Sequence, residues 1–192
     1  MKIFQKIFTF VILFFLTMTT AANAQAQNKW RARDLENYIY IDLATGRVVI
    51  ELLPQLAPKH VERIKVLARR GFYDGVVFHR VIDGFMAQTG DPTGTGSGGS
   101  NLPDLKAEFS DEPHIRGALS MARASNPDSG NSQFFIVLAD SRFLDGQYTV
   151  WGRVVQGMEL VDKIKKGAPG SGKVNGPDKM IKVRVAADVE KK

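Results

Sequence analysis

Arg80 and Gln88 are the side chains of this sequence best placed to do chemistry, and the run that carries them is Phe78-His79-Arg80-Val81-Ile82-Asp83-Gly84-Phe85-Met86-Ala87-Gln88-Thr89-Gly90-Asp91. It reads as two short strands joined by the two-residue turn Asp83-Gly84. Side chains two apart on a strand share a face, so Arg80 is expected on the side of Phe78, while Phe85, Ala87 and Thr89 alternate with Met86 and Gln88. The result is a guanidinium and an amide among large apolar groups. Arg stays protonated at any working pH and offers five directed N–H donors. Such a group suits a reaction that develops lone-pair density at a fixed point and transfers no proton. The plainer reading of the same run is an ordinary hairpin with a surface arginine.

The rest of the chain narrows the chemistry. There is no cysteine, which excludes thiol catalysis, thiolate metal sites and disulfides, so stability must come from a core. His60, His79 and His114 are too scattered for a metal site, and His79 reads as a structural hydrogen-bonding residue. No metal and no cofactor are expected.

Two later stretches complete the pattern: Gly117-Ala118-Leu119-Ser120-Met121-Ala122-Arg123 and Asn131-Ser132-Gln133-Phe134-Phe135-Ile136, followed by Phe143-Leu144-Asp145-Gly146. In that order and spacing, from about Tyr38 to Ala187, the chain resembles the cyclophilin family of peptidyl-prolyl cis/trans isomerases. The resemblance implies a closed eight-stranded antiparallel barrel with a helix over each open end. It also implies rotation about X-Pro bonds in unfolded or partly folded polypeptides. That amide resists rotation because nitrogen lone-pair density is shared with the carbonyl, a barrier of roughly 18–20 kcal/mol. Catalysis must favour the twisted amide, in which the lone pair returns to nitrogen, and Arg80 is the donor expected to meet it. By motif matching, Phe85, Met86, Phe135 and Leu144 form the proline pocket, with Phe143 and Tyr148 along its rim. Gln88 and Gln133 orient the substrate carbonyl and flanking backbone, and the backbone of Ala122-Arg123 pairs with extended substrate. Phe134, beside Phe135 but on the opposite face, reads as barrel core.

The sequence departs from the best-known family pattern at the rim. Phe143 stands where many eukaryotic members have Trp, Tyr148 where they have His, and Arg123 where they have Asn. Phe keeps an apolar wall but lacks the indole N–H donor, so the inhibitor cyclosporin is expected to bind weakly. The combination resembles bacterial exported members.

Positioning these residues requires a β-rich scaffold. Tyr38–Leu43 and Val48–Leu52 are β-branched runs joined by Ala44-Thr45-Gly46-Arg47. Pro54 and Pro58 end the second run and open a helix, with Val61, Ile64, Val66, Leu67 and Ala68 at mostly helical spacing up to Gly71. Strands follow near Ala118–Met121, Phe134–Leu138 and Thr149–Val155, then a second helix over about 157–166 and a final strand over 181–187. Many short strands argue for a mainly β, closed antiparallel barrel. Two motifs between these elements fail their context. Gly94-Thr95-Gly96-Ser97-Gly98-Gly99 has no strand before it and no helix after it, so it does not bind a dinucleotide. Gly167-Ala168-Pro169-Gly170-Ser171-Gly172-Lys173 is followed by Val174 and lacks the hydroxyl that would hold magnesium; it reads as a loop into the last strand.

The chain begins with its own address. Lys2 and Lys6, the apolar run Ile7–Met18 and Ala22-Asn23-Ala24 read as a signal peptide over 1–24. The apolar run falls short of the about 20 residues a spanning helix needs. Cleavage after Ala24 or after Ala26 fits, and a polar lead-in over 25–36 precedes an isomerase domain over 37–192. An exported, periplasmic location follows, without stable membrane insertion. Removing 1–24 leaves 168 of the 192 residues and, with the loss of Lys2 and Lys6, takes the formal charge from +6 to +4. That excess is dispersed, so no nucleic-acid partner is expected, and the domain reads as a monomer. Two other classes fit less well: a cyclophilin-like holdase that grips proline segments without turnover, and a lipocalin-like carrier. Small barrels are filled by their own side chains, which weighs against the carrier.

Overall fold

The computed structural model describes residues 35–190. The signal peptide read over 1–24, and the lead-in apart from Leu35 and Glu36, lie outside the described residues. Leu35–Asn37 forms a 3-10 turn that leads into a hairpin of β1 (Tyr38–Leu43) and β2 (Gly46–Leu52). Helix α1 (Pro58–Arg69) follows, with proline in its first turn, where the missing N–H costs nothing. It buries His60, Val61, Ile64, Leu67 and Ala68 on one stripe and packs against β7 and β8. The remaining elements are β3 (Arg80–Ile82), β4 (Met86–Thr89), β5 (Ala118–Met121), β6 (Phe134–Val137), β7 (Val150–Gln156), α2 (Met158–Val161), β8 (Lys182–Val185) and α3 (Ala186–Val189).

All eight strands belong to one antiparallel, curled sheet in the order β3-β4-β6-β5-β7-β2-β1-β8. The expectation of a closed barrel is met in part, because no ladder joins β3 to β8. Residues 172–180 lie along that seam instead. Val81 donates to the Gly172 carbonyl (2.8 Å), Val174 to His79 (3.1 Å), Phe78 to Asp178 (2.8 Å) and Gly75 to Met180 (2.7 Å). Gly172, Gly176 and Pro177 prevent this stretch from running as a continuous strand, since proline has no N–H for a ladder and glycine resists extended order. The second helix is also shorter than expected. Beyond Val161 the bonds tighten to three-residue steps, Lys163 N–H to Leu160 and Ile164 N–H to Val161, so the helix does not propagate. The final strand yields at Ala186 to α3.

One further correction bears on the site. Ile82 pairs with Met86, so the turn holds three residues, Asp83, Gly84 and Phe85, with Gly84 at φ 66°. Phe78 precedes β3 and is buried in the barrel core rather than on the side of Arg80.

The period of two along the strands divides the sheet into two apolar faces. Phe134 and Ile136 face the main core together with Ala87, Leu119, Met121 and Trp151. Phe134 meets Tyr73 and Trp151 edge-on at 5.7 and 5.3 Å, as expected of a core ring. Phe135 and Val137 face outward into a smaller cluster with Met86, Ala118 and Leu144.

Candidate active site

The outer cluster is the wall of a pocket of about 130 Å³ lined by Arg80, Phe85, Met86, Gln88, Ala122, Arg123, Phe135, Leu144 and Tyr148. These are nine of the eleven site residues named from the sequence. The other two adjoin it: Gln133 through a hydrogen bond to Gln88, and Phe143 through ring contact with Phe85 at 5.5 Å. Arg80 faces Gln88 across the β3–β4 ladder, and Gln88 faces Phe135 across β4–β6. Ladder register therefore places the cation beside the apolar floor.

Hydrogen bonds fix that cation from two sides. Arg80 Nε donates to the Ser171 carbonyl (3.2 Å) and Nη1 to Gln88 Oε1 (3.2 Å). Gln88 Nε2 donates to Gln133 Oε1 (3.0 Å), and Gln133 Nε2 donates to the Gly96 and Gly98 carbonyls (3.0 and 2.8 Å). Both amide hydrogens of Gln133 are thus occupied, which leaves none for a substrate carbonyl, the role the resemblance implies. Its geometry is that of a tie between Gln88 and the glycine-rich loop. Ala122 likewise donates its N–H to the Gln133 carbonyl (3.0 Å), so that donor is also not free for substrate.

The glycine-rich loop does cradle an anion, but it is the chain's own Asp91. The fully buried carboxylate accepts from Thr93 N–H (2.8 Å), Thr93 Oγ1 (2.8 Å) and Gly96 N–H (2.6 Å). Burial opposes its ionisation, yet these donors outweigh burial and hold its pKa at about 2. A carboxyl depressed on folding contributes stability that is present above its unfolded pKa and lost as pH falls through the folded one. For Asp91 that window runs from about pH 4 to about pH 2. Asp91→Ala is expected to lower stability by about 2 kcal/mol near neutral pH and to loosen the Gly96 and Gly98 carbonyls under Gln133. Chemical denaturation at pH 7 and pH 2.5 checks this: the gap between parent and variant should shrink at the lower pH.

At the rim, the Arg123 guanidinium lies 4.6 Å from the Tyr148 ring centre and is held by the Gln147 carbonyl (3.1 Å) and the Ala124 carbonyl (3.0 Å). Tyr148 in turn meets Phe135 edge-on at 5.7 Å. Phe143 is 65 % exposed. A second, polar hollow of about 440 Å³ adjoins the pocket, sharing Gln88, Ala122 and Arg123 and bounded by residues 96–100, Asp104 and Asn131.

Comparison with known proteins settles the family. The model of the cyclophilin type peptidyl-prolyl cis-trans isomerases matches residues 38–185. The chain belongs to that family. It is 55% identical over 171 residues to a Brucella suis protein named "probable peptidyl-prolyl cis-trans isomerase", covering 83% of this chain and 87% of that one. It is 42% identical over 147 residues to the peptidyl-prolyl cis-trans isomerase-like 1 of Aspergillus fumigatus, covering 74% and 88%. A crystal structure of a Hirschia baltica cyclophilin superposes with a TM-score of 0.75 at 30% identity, covering 83% of this chain and 77% of that one. A Cryptosporidium parvum cyclophilin, crystallised in the presence of the dipeptide Ala-Pro, superposes with a TM-score of 0.71 at 30% identity, covering 77% and 98%.

Several residues of this cyclophilin site were not legible from motifs. Ile82, Ala118 and Val137 back the pocket walls, and Ser171 lies in a loop 91 positions from Arg80. The signal for that loop was the glycine spacing of Gly167 and Gly172. Gly172 adopts φ 71°, and a Cβ there would stand 2.5 Å from Ile82 Cγ1 and 3.2 Å from Arg80 Cγ. The segment that mimics a phosphate loop is the backing of β3. His79, read as a structural hydrogen-bonding residue, is buried with both ring nitrogens unpartnered among the described residues. Burial pushes its pKa down, against the pull of Asp91.

Proposed function

We propose that this cyclophilin rotates X-Pro bonds in extended segments of unfolded or partly folded exported proteins, using Arg80 as the donor to the prolyl nitrogen. The proline ring enters the space between Phe85, Met86, Phe135, Leu144 and Tyr148, and the preceding residue extends toward the polar hollow. As the amide twists, its lone pair localises on nitrogen and accepts from a free N–H of Arg80. The gain is electrostatic and appears only in the twisted state, which is what raises turnover rather than affinity. No covalent bond forms and no proton is transferred. The observation that carries the reading is the guanidinium held by Ser171 and Gln88 at the edge of an apolar pocket. The Ala-Pro dipeptide present with the Cryptosporidium parvum relative agrees in substrate class.

Exchange spectroscopy on an X-Pro peptide tests the activity: catalytic amounts of protein should speed cis–trans exchange. Binding without faster exchange marks a holdase instead. Location has its own test. Protein recovered from the periplasm should have the intact mass of a chain starting at Gln25 or Gln27, and a species retaining Met1 in the membrane fraction argues for an anchor.

Cyclosporin is expected to bind weakly and Phe143→Trp to bind it more tightly. The exposed Phe143 ring already covers the rim, and an indole adds one N–H donor. A neutral hydrogen bond contributes about 0.5–1.5 kcal/mol, and extra aromatic area adds to it. A gain of roughly tenfold in affinity is expected, with little change in turnover of a small peptide. Calorimetric titration of both forms decides it, and equal affinities shift the cause to Tyr148 or Arg123.

A further inference from the structure

Behind the pocket, His114 is fully buried and contributes nothing to the pocket lining. Its imidazole nonetheless joins three parts of the wall. Nδ1 lies 3.0 Å from Asp145 Oδ1, and Nε2 lies 3.0 Å from Ser120 Oγ. The ring stacks on Phe135 at 6.3 Å with 20° between planes, and meets Tyr148 edge-on at 6.4 Å. Asp145 closes the 3-10 turn Arg142–Leu144 that presents Phe143 and Leu144.

Asp145, His114 and Ser120 make a constellation reminiscent of hydrolase triads, but hydrolysis does not fit it. Ser120 is fully buried and its hydroxyl donates to the Thr149 carbonyl at 2.9 Å. A nucleophile needs access to an acyl group and a neighbouring oxyanion site, and a hydroxyl fixed inside the sheet has no such access. What remains is a brace.

We infer that His114 is a positioning residue of the isomerase site, whose imidazole holds the floor ring Phe135, the wall ring Tyr148 and the rim turn in the spacing that admits a proline ring. The inference rests on the isomerase reading above. The backbone of His114 already pins the rim turn, accepting from Ser141 N–H (2.8 Å) and donating to Asp145 Oδ1 (2.8 Å). Substitutions at His114 therefore leave the turn attached and test the imidazole alone, whereas Asp145→Ala removes the backbone and imidazole tethers together. Because walls meet planar and twisted proline alike, their displacement weakens binding of both states. The loss belongs in KM, with kcat preserved.

The experiment compares His114→Phe, His114→Asn and Asp145→Ala in saturation kinetics on an X-Pro peptide. Phe keeps the ring contacts and loses both tethers; KM should rise about tenfold with kcat within about threefold of the parent. Asn can place an amide N–H near the position of Nδ1 but loses the ring contacts, so its KM should fall between those of His114→Phe and the parent. Asp145 is 29% exposed, so its truncation tests the rim tether even if a His114 variant fails to fold, and its KM should rise several-fold. Unchanged KM in His114→Phe and Asp145→Ala, or a loss confined to kcat, overturns the inference. So does an Asn variant as impaired as Phe. A parent that does not speed exchange at all overturns the isomerase reading instead, which keeps the two failures apart.

Discussion

Arg80→Ala should lower kcat/KM on an X-Pro peptide by two to three orders of magnitude, equivalent to about 3–4 kcal/mol of lost transition-state stabilisation. Most of the loss should fall in kcat, because the guanidinium meets a lone pair that exists only in the twisted amide. The fold should survive. Arg80 is half-buried, and its hydrogen-bond partners are a loop carbonyl and an amide that also bonds Gln133. Removing two such half-exposed bonds costs about 1–3 kcal/mol of stability. Arg80→Lys is the sharper control. A lysine keeps the charge but not the fork, so it cannot bond Ser171 and Gln88 while also facing the pocket. It should recover only a minor part of the activity. A variant lacking Arg80 that exchanges proline peptides at near the parental rate refutes the mechanism.

Gly172→Ala should act on both stability and turnover. The backbone at φ 71° is one that side chains rarely adopt, and the added carbon meets Ile82 Cγ1 at 2.5 Å and the Val81 backbone at 3.3 Å. Left-handed strain costs about 1–2 kcal/mol and overpacking about 1–3 kcal/mol, so a total near 3 kcal/mol is expected. For a domain of this size, that corresponds to a fall in Tm of roughly 5–15 °C. The surviving folded protein should also turn over more slowly, because the displaced loop takes the Ser171 carbonyl away from Arg80 Nε. Calorimetry and kinetics below the lowered Tm separate the two losses. An unchanged Tm contradicts the packing described for this loop.

What could be read from the sequence follows what is local. The alternation along Met86-Ala87-Gln88 and Phe134-Phe135-Ile136-Val137, and the order of the motifs, placed the pocket residues. Strand ladders convert such spacing directly into neighbours, as Arg80 opposite Gln88 shows. Illegible features depend on partners distant in the chain. Ser171 behind Arg80, Asp145 beside His114 and Gly98 under Gln133 share no period with the residues they serve. The turn after β3 held one residue more than Asp83-Gly84 suggested, since a glycine at positive φ serves three-residue loops as well as two-residue ones. The helix expected over 157–166 stopped early because its apolar spacing is equally served by 3-10 steps.

The strand order also dictates a sequence of events in time. β1, the first strand of the domain, has β8, the last, as its neighbour, with Ile39 opposite Val185 and Ile41 opposite Val183. Arg69 of α1 reaches both Glu36 and Asp188, bonding each at 2.9 Å. A ribosome delivers these partners about 145 residues apart, so the sheet cannot be completed until almost the whole chain has emerged. Contacts of such long range also slow the search for the native state. A growing chain of this kind cannot complete its sheet while it is being made, and a copy that stops before Lys182 leaves the outer edge of β1 open to pairing with other chains.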